Sequence, residues 1–291
     1  MNKLKLGIPK GSLLNSTITL FKRAGWKIET NNSRSYFPTI NDKAIECTIC
    51  RAQEMSRYVE NGTLDAGLTG KDWTAENNSE VEVISDFIYS KVSRKPAKWV
   101  LAVPIDSDIQ KIEDLEGKKI ATELVNFTKG YFKAKNISVK VEFSWGATEA
   151  KVISGLADAI VEVTETGSTI KAHGLKIIKE LMTTNTQLIA NKNSLKDNQK
   201  KIKLDQISLL LKGALLGEKL VGLKMNVAEN NIDKVICELP SLNAPTVAKL
   251  YKTNWFSIET VVEIGTVREL IPKLMNNGAE GIIEYPLNKV I

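Results

Sequence analysis

Residues 149–170 read EAKVISGLADAIVEVTETGSTI, and the order of elements in this stretch decides the fold. Ala157 to Val163 is an apolar, β-branched run interrupted by acids only at Asp158 and Glu162, the pattern of a buried strand. Thr166-Gly167-Ser168-Thr169 follows at once, and Ile170 to His173 starts a helix that Gly174 stops. A hydroxyl-rich turn with one glycine, between a strand end and a helix start, suits a phosphate. Gly167 permits close backbone approach, Ser168 and Thr169 add hydroxyls, and the first amides of a helix lack intrahelical partners. Glu162, just before the turn, is placed to accept from ribose hydroxyls. The same residues would also serve as the N-cap cluster of an ordinary βα turn.

Outward from this stretch, composition bounds the rest. The 291 residues suit two or three compact units at about 150 residues per domain. The chain is 43% hydrophobic and 25% charged, an ordinary globular balance. Its apolar runs are too short to span a bilayer, and the opening MNKLKLGIPKGS has no secretory apolar segment, so a cytoplasmic protein is expected. A net charge of +6 is compatible with polyanionic ligands, but the lysines are scattered rather than gathered with aromatics, which argues against nucleic acid. Cys47-x-x-Cys50 has metal-like spacing without a second pair; on a strand the two point to opposite faces, which favours plain packing.

Upstream, Lys3 to Ile8 is a short strand, and Pro9-Lys10-Gly11-Ser12 is a turn before a helix with Leu14, Ile18 and Phe21 on its apolar face. Ser12 is placed to cap that helix, and the turn offers backbone donors and Lys10 to an anion. Ala44 to Ile49 is a strand leading to Arg51 and a helix over 52–60; Leu64 to Leu68 is a strand before the turn Thr69-Gly70-Lys71-Asp72. Strands over 81–87 and 98–103 flank a basic connector carrying Arg94 and Lys95, with Lys98 just beyond it, in reach of pyrophosphate or triphosphate or a plain surface loop. Arg51 reads equally as a solvated strand end, and Asp65 as a structural cap. Strands over 118–122, 139–143 and 157–163 alternate with helical stretches, which implies parallel sheet covered by helices. Segments 175–181 and 187–190 would return the chain to the first lobe. This predicts a catalytic region over 1–212, with lobe I about 1–103 and 179–212 and lobe II about 104–178.

From Lys219 the pattern changes to strand 220–227, helix 230–238, strands 246–251 and 256–264, helix 266–277 and strand 280–284. That βαββαβ order is the ferredoxin-like plan, here a unit over 213–291. Thr266-x-x-Glu269 predicts a capping box, and Pro272 a kink or a later helix start.

The 149–170 stretch is similar to the signature of the ATP phosphoribosyltransferase family, the first enzymes of histidine biosynthesis. Glu149, Gly155, Ala157, Glu162, Thr166, Gly167 and Thr169 fall on matching positions; Glu162 replaces the commoner Asp and Ile170 a Leu or Met. The resemblance implies a type II periplasmic-binding-protein-like α/β region of two lobes, with a C-terminal ACT-like regulatory domain. It implies transfer from phosphoribosyl pyrophosphate to N1 of ATP, with Mg²⁺ held mainly through pyrophosphate. Glu149, Glu162, Thr164, Thr166, Gly167, Ser168 and Thr169 would bind phosphoribosyl pyrophosphate; Lys10, Gly11, Ser12, Arg51, Asp65, Gly70 and Lys71 would bind ATP. Asn226, Thr246 and Gly281 would contact histidine as feedback inhibitor, and the chain would form homo-oligomers, dimers or hexamers. Adenine N1 carries its own lone pair, so a chain whose one histidine is His173 is not disqualified. Rival readings are a two-lobed solute binder and a prephenate dehydratase, whose usual Thr-Arg-Phe motif is absent here.

Overall fold

The computed structural model describes residues 3–30, 36–89, 96–240 and 244–291. In chain order, β1 (Leu4–Lys10), α1 (Leu14–Ala24), β2 (Ile28–Glu29), β3 (Thr39–Ile40), β4 (Ile45–Arg51), α2 (Ala52–Glu60), β5 (Ala66–Gly70), α3 (Lys71–Asn77) and β6 (Glu82–Phe87) come first. Then follow β7 (Ala97–Pro104), β8 (Lys119–Thr122), α4 (Val125–Lys133), β9 (Lys140–Phe143), α5 (Thr148–Ile153), β10 (Ala159–Thr164), α6 (Ser168–Ala172), β11 (Leu175–Thr184), β12 (Thr186–Ala190) and α7 (Asn198–Gly217).

These strands build two five-stranded sheets, β4-β1-β5-β12-β6 and β11-β7-β10-β8-β9. The expected α/β plan of two lobes holds. Parallel pairing is confined to β4-β1-β5 in the first lobe and β10-β8-β9 in the second. The strands that carry the chain between lobes, β6, β7, β11 and β12, all pair antiparallel. Consequently the chain changes lobe after β6 ends at Phe87 and before β7 starts at Ala97, and again at Asn185, not at 103/104 and 178/179 as the sequence reading has it. An apolar strand pattern does not say which sheet receives the strand. Two register shifts in β11, at Ile177/Lys179 and Glu180/Met182, further break the alternation that would have marked it as one long strand.

The second sheet is buried on both faces. Trp99, Leu101, Val103, Phe132 and Val161 pack on the α4 side, and Val100, Ala102, Val152, Ile160 and Ile170 on the α5 and α6 side. One short helix of the first lobe, α3, is fastened to the second. Trp73 packs against the Trp99 cluster and meets the Trp99 ring edge-on at 6.3 Å.

By contacts the chain divides into Met1–Thr19 with Trp26–Ser208, and Leu20–Gly25 with Leu209–Ile291. The second unit contains β13 (Leu220–Ala228), α8 (Ile232–Glu238), β14 (Thr246–Lys249), β15 (Trp255–Glu263), α9 (Val267–Asn276) and β16 (Ala279–Pro286). Its sheet order is β14-β15-β13-β16, antiparallel throughout, which is the expected ferredoxin-like arrangement. Val221, Leu223, Met225 and Val227 bury one face against Val235, Leu270 and Leu274. The expected capping box is not made: Thr266 stands at the N-cap, but its hydroxyl donates to the Glu263 carbonyl instead. Pro272 sits inside an unbroken α9. Among the described residues no helix is long and apolar enough to cross a membrane.

Candidate functional site

The carboxyl ends of β1, β4 and β5 bring Lys10, Arg51 and Gly70 to one edge of the first sheet, as register pairs Lys10 with Arg51. β10 ends on the facing lobe, and there Gly167 adopts φ 77°, a conformation that suits glycine. The Gly167 N–H donates to the Thr164 hydroxyl at 2.8 Å, and the Thr166 and Ser168 hydroxyls are 2.9 Å apart. Thr166, Ser168 and Thr169 are exposed, whereas Gly167 is buried against Ile177. The turn is therefore prebuilt, with Thr164 serving as its internal brace and three hydroxyls facing outward.

Glu162 on β10 and Glu149 on α5 are close enough for their charges to interact. Burial, then the charges of Glu149 and Glu123, raise the Glu162 carboxyl above its usual range. Glu123, between β8 and α4, is raised by burial and by Asp72. Burial likewise raises Asp72, whose carboxylate accepts from the Trp99 indole at 2.7 Å and the Trp73 N–H at 3.0 Å. Gly70 is required next to it, since a Cβ there would lie 1.9 Å from Asp72 Oδ1.

Two cavities open between the lobes, separated by Trp73, which lines both. The smaller, about 250 Å³, brings Ser12 and Gly70 together with Val163 and Glu165, at the end of β10 and just beyond it. The larger, about 430 Å³, is lined by Arg51, Arg57, Gln53, Glu123, Phe143 and Trp145. Glu76 of α3 closes its floor, accepting from the Asn126 and Phe127 amides at 3.0 and 2.9 Å and so capping α4 from the opposite lobe. Asp72, Glu76, Glu123, Glu165 and Trp145 escaped the sequence reading; a tryptophan ahead of Gly146 was the one local signal available.

Several expected residues, Lys10, Gly11, Asp65 and Lys71 among them, do not line either cavity. Lys10 is exposed and its ammonium meets Tyr36, 3.1 Å from the hydroxyl and 4.4 Å from the ring centroid. Gly11 has φ 95° in the turn, and α1 begins at Leu14, so Ser12 lies in the turn rather than at the cap. Lys71 is exposed on α3. Asp65 does not join the site. It lies buried at the amino end of β5, accepting from Lys5 N–H at 2.8 Å, Ser194 at 2.6 Å and Lys200 at 2.7 Å. A strand rises about 3.3 Å per residue, so the length of β5 separates it from Gly70. Lys98 is paired with Glu180 at 2.6 Å, and Arg94 and Lys95 lie outside the described residues. His173 is exposed at the end of α6. Burial pushes the Cys47 and Cys50 thiols up to about 12, as expected of packed side chains.

Family comparisons agree with this geometry. Residues 51–213 match the model for HisG, ATP phosphoribosyltransferase, and residues 217–289 match the HisG C-terminal domain. An ATP phosphoribosyltransferase of Desulfosudis oleivorans is 69% identical over 288 residues, 99% of each chain. Another from Desulfatibacillum aliphaticivorans is 67% identical, spanning 99% of this chain and 98% of that one. Among solved structures, a chain of the ATP phosphoribosyl transferase (HisG:HisZ) complex from Thermotoga maritima matches with TM-score 0.62 and 28% identity, covering 72% of this chain and 98% of its own. Family models, relatives and the solved structure together define a phosphoribosyl transferase. The chain belongs to the ATP phosphoribosyltransferase family of histidine biosynthesis.

Proposed function

We propose that the chain joins phosphoribosyl pyrophosphate to ATP by attack of adenine N1 on C1 of the ribose, with inversion and departure of pyrophosphate. The observation that carries this reading is the outward-facing hydroxyl set of Thr166, Ser168 and Thr169 at the end of β10, beside the interlobe cavities. These hydroxyls grip the 5′-phosphate, and Glu162 accepts from the ribose hydroxyls. Arg51, with Lys10, Gly11, Ser12, Gly70 and Lys71 on the facing edge, meets the ATP phosphates.

The demands of the step are positional and electrostatic. N1 needs no base, so the carboxylates near the cleft hold and orient rather than deprotonate. Among the described residues no group of three or more acidic, histidine or cysteine side chains is arranged to hold a metal ion alone. Mg²⁺ would be carried mainly on the pyrophosphate oxygens, with Glu123 or Glu162 available as a carboxylate ligand. When bound, Mg²⁺ neutralises charge on the leaving group.

The second unit is read as the histidine-sensing and assembly module. Register across β14, β15 and β13 sets Thr246 beside Glu259 and Lys224, and Ala248 beside Ser257 and Asn226, so Thr246 and Asn226 share the sheet face opposite the helices. A Cβ on Gly281 would lie 3.8 Å from Asn226 Nδ2. This face supports histidine binding and homo-oligomer contacts. The test is pyrophosphate release from ATP and phosphoribosyl pyrophosphate. Release requiring both substrates and Mg²⁺, and falling when histidine is added, is expected. Release unaffected by histidine removes the effector assignment alone; no release removes the transferase reading.

A further inference from the structure

Trp145 is 75% exposed and its neighbour Phe143 is 53% exposed, an unusual outlay of aromatic surface on one edge of a sheet. The two rings meet edge-to-face, centroids 5.7 Å apart, so each limits the other's rotation. Their anchor is firm. Ser144, between them, is fully buried and its N–H donates to Thr122 at 2.9 Å, while Thr148 is buried three residues beyond Trp145. Gly146 and Ala147 follow the indole with φ 73° and 47°. A non-glycine residue in the left-handed region is costly, and such strain persists where the surroundings hold a side chain in a required place. Here that side chain is an indole aimed into the larger interlobe cavity.

The rest of that cavity matches a purine nucleotide. The Arg51 guanidinium, from the opposite lobe, stands 5.6 Å from the Trp145 ring centroid, and Arg57 lines the same space. Gln53 and Asn126 bring amide groups able to hydrogen-bond a base edge. Glu123 lines it too, and its charge is felt at Glu162, the carboxylate read as holding the ribose.

We propose that Trp145 is the stacking platform for the adenine ring of ATP, with the base lying on the indole and the phosphates running toward Arg51 on the facing lobe. The proposal rests on the transferase reading and adds a base-binding residue to it. Stacking of one base on an aromatic side chain contributes enough to change affinity by roughly tenfold or more. Titration calorimetry on the full chain, with ATP and with phosphoribosyl pyrophosphate separately, provides the test. Trp145→Ala is expected to weaken ATP about tenfold or more while phosphoribosyl pyrophosphate stays within about twofold, and Trp145→Phe to keep most of the ATP affinity. Quenching of indole fluorescence by ATP should also drop in Trp145→Phe, a readout that does not depend on the alanine variant folding. ATP affinity unchanged in Trp145→Ala, or equal losses for both ligands, or unchanged quenching in Trp145→Phe, would overturn the platform. If the wild-type chain itself binds no ATP, the transferase reading falls and the platform with it.

Discussion

The Asp72 carboxylate and the Trp99 indole form a buried hydrogen bond of 2.7 Å that ties α3 of one lobe to β7 of the other. On the same helix, Trp73 and Glu76 reinforce the tie, through ring packing and through the cap on α4. A helix of seven residues thus carries the contact between lobes and also forms the wall between the two cavities.

Asp72→Ala should leave the Trp99 N–H buried without an acceptor and cost about 1–3 kcal/mol, measured by denaturant unfolding. The pH dependence has a defined sign. Burial raises this carboxyl in the folded state, so the stability it adds is complete below about pH 4 and is lost as pH rises through the raised value. Asp72→Asn should flatten that decline.

Asp65 predicts the opposite slope. Burial pushes its carboxyl up, but hydrogen bonds from Lys200, the Lys5 amide and Ser194 together hold it below the usual range. Its contribution is present above about pH 4 and lost as pH falls through the lowered value. The Asp65 and Lys200 side chains are only 7% and 16% exposed, so Asp65→Asn should cost about 3 kcal/mol near neutrality while kcat in folded enzyme changes little.

Glu123→Gln removes one of the charges that raise Glu162. If ionised Glu162 holds the ribose, the acid limb of the kcat/KM profile should move to lower pH in this variant. An unmoved limb would separate Glu162 from the rate.

Thr169→Ala should weaken phosphoribosyl pyrophosphate by roughly tenfold or more, since a hydrogen bond to a charged phosphate contributes about 1.5–3 kcal/mol. ATP binding should stay near wild type. Calorimetry showing equal losses for both ligands argues against the turn as the sugar-phosphate site.

Much of this was legible beforehand where chemistry and chain order coincide. The Thr164–Thr169 turn needs only adjacent residues, and a buried strand ending in hydroxyls and glycine announces it. Asp65 misled because an acid at a strand edge looks alike whether it faces a ligand or Lys200, which lies 135 positions away in sequence. Trp145 and Asp72 were passed over for a related reason: an exposed indole and a buried carboxylate are defined by what surrounds them.

The sequence by itself determined the α/β and βαββαβ element orders, the hydroxyl-and-glycine turn after β10 and the family resemblance, because periodicity, turn chemistry and short motifs are local properties. Only the tertiary structure decided where the chain changes sheets, that α3 pins the lobes, and that Trp145 faces Arg51 across a cavity. Those depend on pairing between strands and on burial, which are set by residues far apart in the chain and brought together only when the core closes.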